Sequence, residues 1–230
     1  MHIRNDWAIT LDGEQFIGVQ GESFAKLLKN PRQLAIFREA LDQVVQVIEP
    51  QVCWDRFPIK GVLHERLVLA DGTKIGGGPV VSVVRGADEL VVAVCTIGPG
   101  ADSAMVAARN DKQLFKAMML HDLSALAVDL LRQEFCRWLE EDLARQGLRT
   151  SAPLSPGESV WSVKDQEVIF SLLDAGRIGV SLTKSMLMHP SRSLSLIMGT
   201  GAHPMGVEGV DNCDFCTIQE RCNYRHKRAT

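Results

Sequence analysis

Leu90-Val91-Val92-Ala93-Val94-Cys95-Thr96-Ile97 is an eight-residue run with one polar member. It is too short for an ordinary helix, and its valines and isoleucine favour an extended chain. It therefore predicts a strand covered on both faces. Gly98-Pro99-Gly100 breaks it, and the expectation there is a strand end whose backbone amides could meet a ligand. Upstream, residues 59 to 97 read as strands, with Val62, Val68, Val80, Val81, Val83 and Val84 supplying β-branched residues. Asp71-Gly72, Gly76-Gly77-Gly78 and Gly86-Ala87-Asp88 read as turns. Farther upstream, Leu34, Phe37, Leu41, Val44, Val45 and Ile48 share one face of a helix from Pro31 to Ile48. Asn30 is its cap, Pro31 its first residue, and Pro50 stops it.

Downstream, residues 101 to 146 read as two or three helical stretches. Leu123, Leu126, Ala127, Leu130, Leu131, Phe135, Trp138, Leu139 and Leu143 trace a long amphipathic helix that closes at Arg145-Gln146-Gly147. A polar loop spans Thr150 to Glu158. Asp165 to Leu173 then reads as a helix, and Ser191 to Met198 alternates as a strand. Helices and strands do not alternate strictly, which predicts an α+β fold rather than a doubly wound sheet. From Gly199 onward glycine, histidine, proline and cysteine crowd together. The chain is thus expected to divide into an α+β domain, 1–200, and a cysteine-rich tail, 201–230.

The whole chain has 230 residues, enough to bury ~70% of its unfolded surface without staples. Its net charge of −3 leaves no basic field for nucleic acid. It contains no apolar run of ~18 residues, so no membrane span is expected. The opening residues Met1 to Asp6 lack the apolar core of a signal peptide. A reduced, cytoplasmic setting follows as the expectation. The six cysteines then read as ligands or buried thiols rather than disulfides.

Cys213-Asp214-Phe215-Cys216-Thr217-Ile218-Gln219-Glu220-Arg221-Cys222 sets three thiols within ten residues. Thiolates are soft ligands, and this spacing suits zinc or an iron–sulfur cluster. The fourth ligand stays open among His226, His203, Cys53, Cys95, Cys136 or an external group. Cys53, Cys95 and Cys136 sit in apolar contexts and read first as buried, inert thiols. Ser155-Pro156-Gly157-Glu158 is a rigid turn that leaves amides open to an anion or carboxylate. His189 reads as an exposed loop residue. His121 and Asp122 are adjacent on a helix, so their side chains are expected to diverge. No Gly-x-Ser-x-Gly, His-Glu-x-x-His or nucleophile–base pattern is present.

Three stretches carry a resemblance. They are Ser155-Pro156-Gly157 with Trp161, Gln166, Phe170 and Leu172-Leu173; Ile178 to Ser195, above all Leu182-Thr183-Lys184-Ser185 and Met188-His189-Pro190-Ser191-Arg192-Ser193-Leu194-Ser195; and Thr96-Ile97-Gly98-Pro99-Gly100, with Asp122 following. Together they resemble the activation (reactivation) domain of cobalamin-dependent methionine synthase over roughly residues 30 to 200. The cysteine tail is similar to that of small stand-alone relatives. The resemblance implies an α+β domain around a twisted antiparallel sheet flanked by helices. It also implies S-adenosylmethionine bound in a shallow groove, and cobalamin supplied only through a partner. That partner would be a corrinoid protein or cobalamin-binding methyltransferase subunit, with a flavodoxin-like or ferredoxin-like electron donor. The implied role is accessory, in reductive reactivation of the corrinoid.

By this resemblance the ligand loop is Ser155, Pro156, Gly157 and Glu158. The family's loop carries arginine two residues before its serine or alanine and tyrosine after its glycine; here these positions hold Pro153 and Glu158. Arg149 is the nearby candidate for the missing guanidinium. Two alternatives remain beside this reading: an iron–sulfur electron-transfer partner that binds no methyl donor, and a zinc-clipped, non-catalytic binding protein.

Overall fold

The computed structural model describes residues 1–77, 80–158 and 161–206. Strand β1 (His2–Arg4) is followed by helices α1 (Gly13–Gln20), α2 (Glu22–Leu27) and α3 (Pro31–Val47). Then come β2 (Gln51–Leu63), β3 (Arg66–Leu69), β4 (Lys74–Ile75), the short helix α4 (Val80–Val83) and β5 (Glu89–Thr96). Helices α5 (Gly100–Asn110) and α6 (Leu114–Arg145) lead to β6 (Arg149–Thr150). The last elements are α7 (Gln166–Leu172), β7 (Ser181–Leu182), β8 (Met188–His189) and β9 (Ser193–Gly201). Tight helical turns at Val163–Asp165 and Ala175–Ile178 flank α7.

The sheet runs β4-β3-β2-β5-β9-β6, with β1 on β2, and every pairing is antiparallel. The α+β expectation and the antiparallel sheet flanked by helices hold. β5 lies at the centre, buried from Leu90 to Thr96 as its apolar run requires. Its Val91, Ala93 and Cys95 face α3, α5 and α6, while Leu90, Val92 and Val94 face α4 and α7. Two apolar layers thus sandwich one sheet.

Asn30 caps α3 as its sequence predicts, its Oδ1 accepting from Arg32 N at 2.9 Å. The stretches after Gly98 form two helices, and the second, α6, is about 48 Å long at 1.5 Å per residue.

Val80 to Val84 departs from expectation. It is a helical turn, with Val84 N donating to Val80 O at 3.0 Å. Val80, Val83 and Val84 have the i, i+3, i+4 spacing that puts three side chains on one helical face, and all three are buried. Packing on the sheet outweighed the β preference of valine. The Asp71-Gly72 turn stands, with Asp71 Oδ1 accepting from Thr73 N at 2.8 Å. Gly78 lies outside the described residues, as does the tail from 207 onward.

One buried carboxylate joins the two ends of the α4/α7 layer. Asp165 accepts from Arg66 Nη2 at 2.7 Å, Gly76 N at 2.7 Å and Trp161 Nε1 at 2.8 Å. Its side chain is 7% exposed, against 36% for Arg66. Three donors from separated segments converge on it, so its loss strands buried donors. Asp165→Ala is expected to lower unfolding free energy by about 3 kcal/mol, and Arg66→Ala by distinctly less because the guanidinium is partly solvated. Urea denaturation of the two variants checks this order.

Candidate functional site

The Ser155–Glu158 turn leaves the sheet at its β6 edge, just after Leu154 bridges to Ile197 of β9. Its amides are not open, which corrects the sequence expectation. Glu158 N donates to Ser155 O at 3.1 Å, Gly157 N to Trp161 O at 3.0 Å, and Ser155 N to the Glu158 carboxylate at 3.2 Å. Pro156 has no N–H and is buried. The glutamate reaches back over the turn and takes the place an anion would occupy. Gly157 holds φ at +93°, where a side chain is strained although a Cβ would find 3.6 Å of clearance from Val163. Ligand recognition at this turn therefore falls to side chains.

Arg149 sits at the start of the segment that leads to the turn. It pairs with Gly201, whereas Leu154 pairs with Ile197, four residues along β9 or about 13 Å away. Arg132, in the middle of α6, is a partly buried guanidinium within electrostatic range of Glu158. Its Nε and Nη2 donate to Asp129 Oδ1 at 2.9 and 2.7 Å, and Gln133 Nε2 donates to Asp129 Oδ2 at 2.7 Å. Burial pulls the Arg132 pKa down. The Asp129 carboxylate with its hydrogen bonds outweighs this, aided by Glu158, and holds the guanidinium above the usual arginine value. Asp129, Arg132 and Gln133 thus form a hydrogen-bonded group on α6, and the Glu158 charge acts on Arg132 from the turn. Sequence reading missed Asp129 and Arg132, because an i, i+3 Asp–Arg pair on a long helix reads as a solvated surface pair.

The stretches Thr96–Gly100 and Leu182–Ser195 meet at the Ser193 end of β9, the end toward which the Arg149–Leu154 segment runs. Thr96 and Ser193 are register partners, and Ser193 Oγ lies 2.9 Å from Thr96 Oγ1 and 2.8 Å from Pro190 O. Gly98 N donates to Thr96 Oγ1 at 3.1 Å, so this amide is engaged within the fold rather than offered to a ligand. Asp102 accepts from Ser191 N at 2.7 Å and Ser191 Oγ at 2.6 Å. Arg192 donates through Nε to Ser124 Oγ at 2.8 Å, and its burial lowers the guanidinium pKa against the pull of Asp102 and Asp122. These motif residues form a clamp between β9, α5 and α6.

His121 and Asp122 do not diverge: His121 Nδ1 lies 3.0 Å from Asp122 Oδ1. His121 is exposed and Asp122 half-buried, and rotation of the imidazole about its side-chain bonds brings the two together. No nucleophile completes the pair, since Ser124 Oγ is committed to His121 O and Arg192. His189 is exposed on β8, as its sequence predicts.

Cys53 and Cys95 are buried and Cys136 is half-buried, all with free thiols. Cys53 lies in one core layer and Cys95 in the other, and the described residues contain no group of three or more His, Cys, Asp or Glu that could hold a metal. His203 is exposed. Cys213, Cys216, Cys222 and His226 lie outside the described residues.

No protein-family model and no curated protein sequence matches this chain. Among solved structures the chain is similar to one described as "Crystal Structure of the MetH Reactivation Domain bound to AdoHcy". The TM-score is 0.54 at 16% sequence identity, over 89% of this chain and 81% of that one. The likeness is one of fold: an α+β domain with an antiparallel sheet between helices. No helix among the described residues is long and apolar enough to cross a membrane.

Burial raises Cys53 and Cys136 from the usual thiol value of 9.0 to about 11, and Cys95 well above it. The thiols stay protonated in the folded chain after those of the unfolded chain have lost their protons. Folding stability is therefore expected to fall as pH rises from about 9 to about 11. At pH 8 these three thiols should resist iodoacetamide until denaturant is added, as peptide mass spectrometry would show.

Proposed function

We propose that this chain supports reductive reactivation of a corrinoid held by a partner protein, and that it binds S-adenosylmethionine between the Ser155–Glu158 turn and α6. The observation that carries the reading is the Ser-Pro-Gly turn at the β6 edge, closed by Glu158, with α6 and its Asp129–Arg132 pair packed along that edge, on a fold shared with a domain solved with AdoHcy. When bound, S-adenosylmethionine supplies an electrophilic methyl group to reduced cobalt on the partner.

The residues at the turn fit such a ligand in charge. Arg132 presents a fork suited to an amino-acid carboxylate, which replaces the loop arginine missing at Pro153. Asp129 is a carboxylate suited to a ribose diol, and Glu158 suits the ammonium or sulfonium. Recognition by fixed side chains on α6 and a turn fastened to β9 would position the methyl group for in-line transfer.

The cysteines Cys213, Cys216 and Cys222 are proposed as ligands for a zinc ion or an iron–sulfur cluster. Corrinoid and electron-donor partners follow from the same reading.

Calorimetry with AdoHcy and S-adenosylmethionine tests the ligand site. Arg132→Met and Gly157→Val are each expected to weaken binding at least about tenfold, corresponding to ~1.4 kcal/mol. Unchanged affinity in both variants, or no binding by the parent chain, rejects the site.

Iron, zinc and sulfide analysis of anaerobically purified protein tests the tail. Iron with acid-labile sulfide and bleaching by dithionite would favour the electron-transfer alternative. Stoichiometric zinc would favour a structural clip. Cys216→Ser is expected to release either one.

A further inference from the structure

The Ser155–Glu158 turn takes its shape from bonds within itself. Gly157 N donates to Trp161 O at 3.0 Å, Trp161 N to Glu158 O at 3.1 Å, Glu158 N to Ser155 O at 3.1 Å, and Ser155 N to the Glu158 carboxylate at 3.2 Å. These four bonds join residues 155 to 161 only to one another. The place of the turn against the rest of the fold needs ties that reach outside that span.

Each leg carries a tie of that kind. Ahead of the turn, Leu154 exchanges backbone bonds with Ile197 of β9 at 3.0 and 2.8 Å. Behind it stands Trp161, whose backbone brackets the turn with both its N–H and its carbonyl. The Trp161 side chain is buried, 3% exposed, among the apolar residues of the α4/α7 layer. Apolar burial is non-directional, so packing alone holds the ring in the layer without aiming it. The aim comes from the indole N–H, which donates to Asp165 Oδ2 at 2.8 Å. A bond from an N–H to a buried carboxylate is charge-assisted, hence short and strong. Asp165 is itself held by Gly76 N and Arg66 Nη2, both at 2.7 Å, and Arg66 Nη2 also donates to Lys74 O at 3.1 Å. The second leg is thus pinned to the β3–β4 hairpin, with β2 and β5 between that hairpin and β9.

We propose, on the reading of Ser155–Glu158 as a ligand turn, that Trp161 is its positioning residue and that the indole N–H couples the turn to the β3–β4 hairpin through Asp165. The indole bond fixes where the second leg stands. It thereby fixes the distance at which Glu158 faces α6, where its charge acts on Arg132. Phenylalanine at 161 keeps an aromatic ring in the layer and deletes the donor, while Asp165 retains its other two. A Trp161 that only filled space would loosen the layer as a whole when altered. A positioning Trp161 loosens the turn alone.

Amide hydrogen exchange followed by NMR, and calorimetry with AdoHcy, both on the full chain, separate these cases. In Trp161→Phe the Gly157 amide, bonded to Trp161 O, is expected to exchange at least about tenfold faster while the Ile197 amide keeps its rate. AdoHcy affinity is expected to fall about tenfold in the same variant. Arg66→Gln, which leaves the indole and Gly76 bonds in place, is expected to change neither. An unchanged Gly157 rate overturns the proposal. So does a rise shared by Gly157 and Ile197, which would mark a general loosening. Faster Gly157 exchange with undiminished AdoHcy affinity overturns the role in binding. Absence of AdoHcy binding by the parent chain rejects the ligand reading instead, and the exchange rates then decide the positioning role by themselves.

Discussion

The pairing of β5 with β2 on one side and β9 on the other is the constraint on which the rest of the molecule depends. Each ladder runs eight residues, so β5 is held along its whole length. Its side chains are apolar on both faces, and a slip of one residue would expose nothing polar to the core. Register must therefore be fixed at its ends. At one end Arg56 of β2 pairs with Glu89. At the other, Thr96 and Ser193 meet side chain to side chain, with Pro190 O and Gly98 N joined to the same hydroxyls. The polar ends give an apolar strand its alignment.

That alignment decides what the two edges can do. Because β9 is fixed against β5, the segment from Arg149 to Leu154 is laid along β9's free side and delivers the Ser155–Glu158 turn to a set place. α6 packs beneath the same edge, with Arg132 in electrostatic range of Glu158. The turn's own amides are consumed by internal hydrogen bonds, so what the turn can offer a ligand is side chains rather than backbone donors. A helix N-terminus or glycine nest would recognise an anion through free amides, and the closed amides of this turn remove that option. The other edge, at the β3–β4 hairpin, is tied to Trp161 through Asp165. The two edges are separate surfaces joined by one rigid sheet.

Local signals in the sequence were read correctly where one residue type has one physical use. The Asn30-Pro31 start of α3 is a side-chain cap followed by a ring that needs no amide partner. The β5 run and the long α6 followed from apolar periodicity. Misreadings occurred where two tendencies compete. Val80 to Val84 carries β-branched residues at helical spacing, and burial against the sheet favoured the helix. β2 begins at Gln51, well before the stretch whose valines suggested strand, because Trp54, Asp55 and Arg56 look irregular until β1 and β5 flank them. His121 and Asp122 meet because rotation of the exposed imidazole brings it to its neighbour.

The sequence by itself determined the fold class, the central strand, the capped helices and the Ser-Pro-Gly turn, because each depends on neighbours a few residues apart. It also carried the family likeness in Leu182 to Ser195 and the cysteine spacing of the tail. Only the tertiary structure decided that α6 packs along the β6 edge, which sets Arg132 within range of the Glu158 charge. Position along a strand and orientation on a helix are set by packing between segments some twenty residues apart, and charge pattern alone does not encode that distance. The same holds for the closing of the turn's amides by Glu158. Whether a backbone N–H is free depends on which side chain folds over it, and that is fixed when β9, α6 and the turn come together.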